Sequence, residues 1–251
     1  MGDRTDDAGL LVGIHSVGAA LERAPERLRR LLVAEECRNP RVRELQDRAR
    51  ELGVRVQTES RAVLDRRCDG ERHQDVIAEF APGNLHGEKE LDQLLDTLPQ
   101  PPLVLVLDGV QDPHNLGACL RSADAAGAGL AVLTRDRSSG LTPAARRAAA
   151  GAAEVLPSLV ATHLARVLKR LKEHGIWLAG TTDHAATSLY ETDLGGPLAL
   201  VVGSEGKGMR RLTEELCDYR LRIPMRGTVS SLNVSVATAV CLFEIQRQRA
   251  L

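Results

Sequence analysis

The sequence is short of aromatic residues and has almost no net charge. Only 2% of its 251 residues are Phe, Trp or Tyr. This argues against a domain that reads single-stranded nucleic acid by stacking bases on a row of rings. The formal net charge is −1 at pH 7. A chain that binds nucleic acid over its whole surface is therefore not indicated, and any RNA contact must come from a local patch.

Cysteine pairs, metal-ligand spacings and long apolar runs are also missing. The five cysteines are scattered, no CxxC pair occurs, and no histidine stands at metal-ligand spacing from a cysteine. These features predict a reducing compartment and no structural metal. No apolar run reaches about 20 residues, and the N-terminal segment is polar and acidic, unlike a signal peptide. We therefore expect a soluble cytoplasmic protein with no membrane contact.

Two domains are predicted from the length, the 43% hydrophobic content and the order of short elements. Residues 1–80 read as a small α/β domain that begins with a tail at 1–9. Its predicted elements are helices at 16–23 and 39–52 and strands at 28–34, 54–57 and 75–80. Residues 81–102, which are rich in Pro and Gly at both ends and hold one possible helix, are predicted to be a linker.

Residues 103–251 alternate between apolar strands and helices, which predicts a mainly parallel α/β sheet. The run from Leu103 to Asp108 is continuously apolar, as expected of a central strand covered on both faces. Further strands are predicted at 130–134, 177–180, 198–202 and 221–223, and helices at 115–126, 144–150, 164–174 and 209–217. Ligands bind such sheets at the carboxyl ends of the strands. The loops after Leu107, Ala179, Val202 and Ile223 are therefore the candidate site.

Three of these loops have unusual composition. The first runs from Asp108 to Arg121, with Asn115 where a helix should start; an Asn cap and a solvated Arg would explain it equally well. The second, Gly203-Ser-Glu-Gly-Lys-Gly208, has glycine at three of six positions, which permits positive φ and close backbone approach. It lacks the spacing of a phosphate loop or a nucleophile elbow, and no GxGxxG follows any strand. The third, residues 228–233, could be a strand-to-helix turn with a Ser cap.

Together, in this order and each after a strand, the loops resemble the three signature motifs of the SpoU/TrmH family of RNA ribose 2′-O-methyltransferases. The matching residues are Asn115-x-Gly117 with Arg121, then Gly203-x-Glu205-Gly-x-Gly208, then Ile223-Pro224 with Ser230-Ser231-Leu232-Asn233-Val234-Ser235. The resemblance covers residues 103–249. Residues 13–80 resemble the family's N-terminal RNA substrate-binding domain, which is similar in shape to ribosomal protein L30e. Asp69-Gly70-Glu-Arg-His73-Gln74 matches its pattern, although Asp75 stands where the family usually has Gly.

The resemblance implies a SPOUT-type α/β domain with a trefoil knot, a homodimer, and S-adenosylmethionine as cofactor. The details are closest to the branch that methylates a guanosine of 23S ribosomal RNA. Carried onto this chain, the cofactor would be held by Thr181, Gly203, Ile223, Met225 and Leu232.

The residues that the resemblance assigns to catalysis are Asn115, Arg121, Glu205, Ser231 and Asn233. Because a guanidinium stays charged, we expect Arg121 to bind the phosphate beside the target ribose and to favour the alkoxide. Asn115, Ser231 and Asn233 would orient the ribose and Arg121, and Glu205 would hold Arg121 or anchor the second loop. A basic group after the second strand would contact RNA backbone or form a solvated face: Arg135, Arg137, Arg146 and Arg147.

Three other functions are weighed against this one. Transfer RNA could be the substrate, but that branch usually lacks the N-terminal domain. An inactive RNA-binding or ribosome-assembly protein of the same fold would be expected to have lost at least one motif residue, and none is lost. A hydrolase that uses Ser231 with His114 and Asp112 lacks the elbow that would form an oxyanion hole.

Overall fold

A computed structural model of the chain describes residues 9–68, 70, 72–81 and 85–250. The chain divides into two compact units, Met1–Gly83 and Asn84–Leu251. The predicted tail at 1–8, Asp69 and Glu71 of the substrate-binding pattern, and the predicted turn at 82–84 lie outside the described residues. Gly9, predicted as the end of the tail, instead begins the first strand.

The smaller unit is a four-stranded sheet with helices on both faces. Its elements are β1 (Gly9–Val12), α1 (Ile14–Arg23), β2 (Leu28–Ala34), α2 (Pro40–Glu51), β3 (Arg55–Glu59), α3 (Arg61–Arg67) and β4 (Val76–Phe80). The strand order is β1-β4-β2-β3, with β2 and β3 parallel and β4 antiparallel to both of its neighbours. The predicted helices and strands lie within three residues of these bounds. β1 and α3 were not predicted, because four and seven residues are too few to set a clear period.

A tight turn before β4 carries two residues with left-handed backbone, Gln74 (φ 52°) and Asp75 (φ 68°). Asp75 occupies the position where the resemblance leads one to expect Gly, and its side chain compensates for the missing freedom. The Arg61 guanidinium donates to Asp75 Oδ2 at 2.9 Å, and His73 Nδ1 accepts from the Asp75 backbone N–H at 3.0 Å. These contacts hold a conformation that usually favours glycine.

The larger unit is a parallel sheet covered on both faces. Its strands are β5 (Leu85–Gly87), β6 (Leu103–Asp108), β7 (Leu130–Thr134), β8 (Ser158–Ala161), β9 (Trp177–Thr181), β10 (Thr187–Ser188), β11 (Leu198–Gly203) and β12 (Tyr219–Arg222). Its helices are α4 (Leu91–Asp96), α5 (Pro113–Ala125), α6 (Pro143–Ala149), α7 (Ala152–Val155), α8 (Leu164–Glu173), α9 (Arg211–Leu216) and α10 (Val234–Arg249). The strand order is β10-β12-β9-β11-β6-β7-β8-β5, and every neighbouring pair is parallel. The predicted parallel sheet is confirmed; the trefoil knot stays a prediction.

Strand β6 shows why the apolar run reads as a central strand. Leu103, Leu105 and Leu107 pack into the core beneath α5, α6, α7 and α10. Val104 and Val106 pack into the opposite core with α4 and α8. Successive side chains of a strand point to opposite faces, so a strand covered on both sides must be apolar throughout.

Much of the segment predicted as a linker is part of the larger unit. β5 pairs with β8, and Leu91 and Leu95 of α4 are buried in the core. The Glu88 carboxylate accepts from the backbone N–H groups of Thr162 (2.7 Å) and His163 (2.6 Å), at the start of α8. The turn residues around this segment suggested a linker, whereas a three-residue strand has no period of its own and is fixed by its partner strand.

Candidate active site

The candidate loops meet at one edge of the sheet. They follow β6, β9, β11 and β12, which are adjacent in the order β12-β9-β11-β6 and all parallel. The carboxyl ends of these four strands therefore open onto a common site, as the sequence predicted.

The first loop places Asn115 inside the first turn of α5. Asp112 is the N-cap, with its side chain accepting from His114 N–H at 2.9 Å, and Pro113 occupies the first helical position. The expectation that the helix starts at Asn115 is therefore wrong by two residues, since α5 begins at Pro113. Because Asp112 caps the helix, the Asn115 side chain is free for other contacts. Gly117 is required for packing, since a Cβ there would lie 2.2 Å from the carbonyl oxygen of Ala145.

The second loop is a closed hairpin. Ser204 N–H donates to Gly208 O (3.1 Å) and Gly208 N–H to Ser204 O (2.9 Å), while Gly206 and Gly208 have positive φ. The hairpin folds back over Gly203, where a Cβ would lie 2.1 Å from the carbonyl carbon of Gly208. Only glycine fits position 203, and the loop has a defined shape.

An ion pair lies at the base of this hairpin. Asp108, the last residue of β6, has a fully buried side chain. Its Oδ1 accepts from Arg210 Nε at 2.6 Å and its Oδ2 from the Arg210 backbone N–H at 2.9 Å. Neither residue was predicted from the sequence. An acid that ends an otherwise apolar, buried strand is the signal that could have found Asp108.

A chain of hydrogen bonds joins the three loops. Asn233 is the N-cap of α10, since its Oδ1 accepts from Ser235 N–H at 2.9 Å, and this replaces the Ser cap considered from the sequence. Asn233 Nδ2 donates to Asn115 Oδ1 at 3.1 Å, and Asn115 Nδ2 donates to the Glu205 carboxylate. Three of the five predicted catalytic residues therefore touch one another in series.

Arg121 and Ser231 take no part in this series of hydrogen bonds. Arg121 is six residues beyond Asn115 on α5, which is about 9 Å along the helix axis. Both side chains are exposed, and neither has a hydrogen bond or ion pair within the part of the chain that the structure describes. Of the two roles considered for Glu205, the contacts fit the anchoring of the second loop.

The predicted cofactor residues line the same edge. Ile223, Met225 and Leu232 are half-buried, and Thr181 Oγ1 donates to Val201 O at 3.5 Å at the end of β9. Between the end of β12 and the cap of α10, the backbone groups of residues 225–232 have no hydrogen-bond partner among the described residues. Unpaired N–H and C=O groups beside half-buried apolar side chains suit a nucleoside, so these residues fit S-adenosylmethionine.

The arginines predicted to contact RNA backbone differ in their surroundings. Arg135 and Arg137 are exposed in the loop after β7, but Arg146 forms an ion pair with the buried Glu154. The described residues contain no cluster of three or more His, Cys, Asp or Glu side chains that could hold a metal ion. No helix among them is long and apolar enough to cross a membrane.

A parallel sheet with three interlocked irregular loops at its carboxyl edge defines an α/β protein of the class in which ligand sites lie at that edge. Comparison with protein families gives the particular group. A model for the SpoU rRNA Methylase family matches residues 102–243, and a model for RNA 2′-O ribose methyltransferase substrate binding matches residues 10–86. The chain belongs to the SpoU rRNA Methylase family, which confirms the resemblance seen in its motifs.

Similar proteins match nearly the whole chain. The 23S rRNA (guanosine-2′-O-)-methyltransferase RlmB of Pseudomonas syringae is 51% identical over 240 residues, which are 96% of each chain. The protein of the same name from Escherichia coli K12 is 48% identical over 96% of this chain and 99% of its own. The SpoU methyltransferase AviRb from Streptomyces viridochromogenes, solved in complex with AdoMet, has a TM-score of 0.76 at 26% identity and covers 99% of this chain and 95% of its own.

Proposed function

We propose that this chain transfers a methyl group from S-adenosylmethionine to the ribose 2′-hydroxyl of a guanosine in 23S ribosomal RNA. The observation that carries the proposal is the interlocked set of Asn115, Glu205 and Asn233 in a chain 51% identical to an enzyme of that name. An inactive relative would be expected to have lost at least one of these residues. The match over both units favours ribosomal RNA over transfer RNA as substrate.

The cofactor would be held by the second and third loops and by the end of β9. Gly203 lets the hairpin close, while Ile223, Met225 and Leu232 offer apolar surface beside unpaired backbone groups. Thr181 lies at the end of the neighbouring strand. Bound there, S-adenosylmethionine supplies an electrophilic methyl group.

Arg121 would bind the RNA phosphate next to the target ribose. Its guanidinium stays charged at any pH of interest, so it stabilises a negative oxygen but does not accept a proton. Because the Arg121 side chain is exposed and lies away from Asn115, it suits a contact with the RNA phosphate backbone. Asn115, Asn233 and Ser231 would orient the ribose, and Glu205 fixes Asn115.

A second copy of the chain would cover the outer face of α10. Val236 and Phe243 lie seven residues apart, so they share one face of the helix, and they are 48% and 53% exposed. Large apolar side chains in such a stripe mark an interaction surface. Light scattering should therefore give the mass of a dimer, and Phe243→Glu should shift it toward that of a monomer.

The buried thiols of Cys119, Cys217 and Cys241 form no disulfide, which supports a reducing cytoplasmic compartment. The smaller unit would recruit the RNA, as the description of its matched family model suggests.

The test of the activity uses RNA that lacks the modification. Ribosomal and transfer RNA are purified from an Escherichia coli strain without its 48% identical relative, incubated with the protein and labelled S-adenosylmethionine, and mapped for ribose methylation. We expect label at a single guanosine of 23S RNA. Label in transfer RNA alone would overturn the substrate, and cofactor binding without label in either RNA would overturn the choice of naked RNA as substrate.

Two arginine variants form a matched pair for the same assay. Arg121→Ala should abolish methylation while leaving S-adenosylmethionine binding unchanged, because other loops hold the cofactor. Arg166→Ala removes an exposed helical arginine from α8 on the opposite face of the sheet and should change neither. Equal loss of binding and methylation in folded Arg121→Ala would contradict this division of roles.

A further inference from the structure

The ion pair between Asp108 and Arg210 has no part in the proposed reaction. Its carboxylate is the most buried charge at the carboxyl edge of the sheet, with none of its side-chain surface exposed, and Arg210 satisfies both of its oxygens. Burying a carboxylate costs several kcal/mol unless its partner and geometry compensate. Apolar side chains could fill the same space without this cost. The role of the ion pair therefore lies in the loops that it connects.

The pair connects two loops that must act together. Asp108 lies opposite Gly203 in the register of β6 and β11, directly beside the start of the hairpin. Arg210 lies two residues beyond Gly208, so the pair holds the chain close to the point where the hairpin ends. The Ser204 and Gly208 backbone bonds define the shape of the hairpin, but they do not fix its direction.

The hairpin is attached to the first loop at two points. At its base Arg210 binds Asp108, and at its tip Glu205 binds Asn115. Asp108 ends β6 and Asn115 lies in the first turn of α5, seven residues later. Two fixed points determine the direction of the hairpin, whereas the exposed contact at the tip alone would let it swing.

We propose that Asp108 and Arg210 are a positioning pair that holds the hairpin 203–208 in the geometry needed to bind S-adenosylmethionine and to present Glu205 to Asn115. The pair touches no reacting atom and acts through the hairpin. This inference rests on the proposed function of the same site.

The test compares two variants of Arg210 with a control that removes a similar ion pair elsewhere. Arg210→Ala deletes the guanidinium, and Arg210→Lys keeps one charged donor for Asp108. The control is Lys172→Ala: Lys172 contacts Asp218 at 2.6 Å and its side chain is 40% exposed, against 45% for Arg210. Asp218 precedes β12, at the amino ends of the strands and away from the site. Each protein is measured for melting temperature, for the dissociation constant of S-adenosylmethionine by calorimetry, and for kcat and for the KM of RNA.

We expect Arg210→Ala to bind S-adenosylmethionine at least about tenfold more weakly, a change of about 1.4 kcal/mol, with an unchanged KM for RNA. Arg210→Lys should recover much of this loss. Lys172→Ala should lower the melting temperature less, because the Asp218 side chain is 17% exposed whereas that of Asp108 is fully buried, and it should leave binding and turnover unchanged. Measured well below both melting temperatures, weaker binding by folded Arg210→Ala cannot come from unfolding.

The outcomes separate the positioning pair from the proposed function. If the wild-type protein binds S-adenosylmethionine and methylates RNA but Arg210→Ala matches Lys172→Ala in every measurement, the positioning role is wrong and the function stands. If the wild-type protein binds no S-adenosylmethionine, both are wrong. Asp108→Asn, which turns an amide N–H toward the donors of Arg210, should repeat the effect of Arg210→Ala where it folds.

Discussion

The chain of hydrogen bonds through Asn115 has a direction that mutation can reverse. Asn233 donates to Asn115, which donates to the Glu205 carboxylate. Asn233→Asp replaces the donor with an acceptor, so the central amide has acceptors on both sides. Whichever way Asn115 turns, its oxygen then faces a carboxylate. Adding Glu205→Gln supplies a donor at the other end, and the chain can run from position 205 through Asn115 to position 233.

The expected coupling free energy depends on the hydrogen bonds that each variant keeps. Asp caps helices about as well as Asn, so Asn233→Asp preserves the contact to Ser235 N–H, whereas Asn233→Ala loses about 1 kcal/mol of capping as well. A neutral hydrogen bond contributes about 0.5–1.5 kcal/mol net, and the exposure of Glu205 and Asn233 beside a half-buried Asn115 favours the lower end. We therefore expect a coupling free energy of about 0.5–1 kcal/mol that favours the double variant, which corresponds to about 1–4 °C in melting temperature.

The assay is a double-mutant cycle of Asn233→Asp and Glu205→Gln, measured by calorimetric unfolding and by S-adenosylmethionine binding. Asn233→Ala serves as the control for loss of the cap. The double variant should be more stable than the sum of the single changes predicts. Additive changes, with no coupling beyond experimental error, would refute the idea that Asn115 transmits a directed hydrogen bond between the second and third loops.

Other predictions concern stability and loop shape. Burial disfavours the charged Glu88 carboxylate, but the backbone N–H donors at the start of α8 outweigh it and lower its pKa. Glu88→Gln should therefore cost about 1 kcal/mol at pH 7 in urea unfolding, and its difference from wild type should disappear as the pH falls through the lowered pKa of the folded carboxylate, where Glu88 protonates. Gly203→Ala should abolish S-adenosylmethionine binding measured by calorimetry, whereas Gly196→Ala, which has open space around it, should not. Asp75→Ala should have a free energy of unfolding about 1 kcal/mol lower than that of Asp75→Gly, measured by urea unfolding. Alanine keeps the left-handed strain without the ion pair, whereas glycine has no such strain.

The site loops could be located from the sequence because each follows a strand with a strong signal. β6 and β11 are continuously apolar and buried on both faces, so their ends were clear and the loops after them were predicted at one edge. What these loops do to one another could not be predicted. Asn115 meets Glu205 across 90 residues and Asn233 across 118, and no local pattern encodes such pairs.

Short elements were the main failure. β5 has three residues and β8 has four, and neither carries a period that distinguishes strand from loop. They are strands because they pair with each other at the edge of the sheet. The N-cap of α5 was misplaced for a related reason: Asp112 and Asn115 are both good capping residues, and only the backbone shows which one is used.

The strand order also limits when the sheet can be completed during synthesis. β9 and β10 follow each other in the chain, yet β12 lies between them, and among the strands that the structure describes β10 pairs with β12 alone. β10 therefore leaves the ribosome with no strand to pair with and must wait until residues 219–222 have been made. The third loop and α10 come later still. Because long-range parallel pairing forms slowly, β12 and β10 are the last strands to join the sheet. A nascent chain that ends before β12 lacks the strand that the third loop follows, so its cofactor site is incomplete.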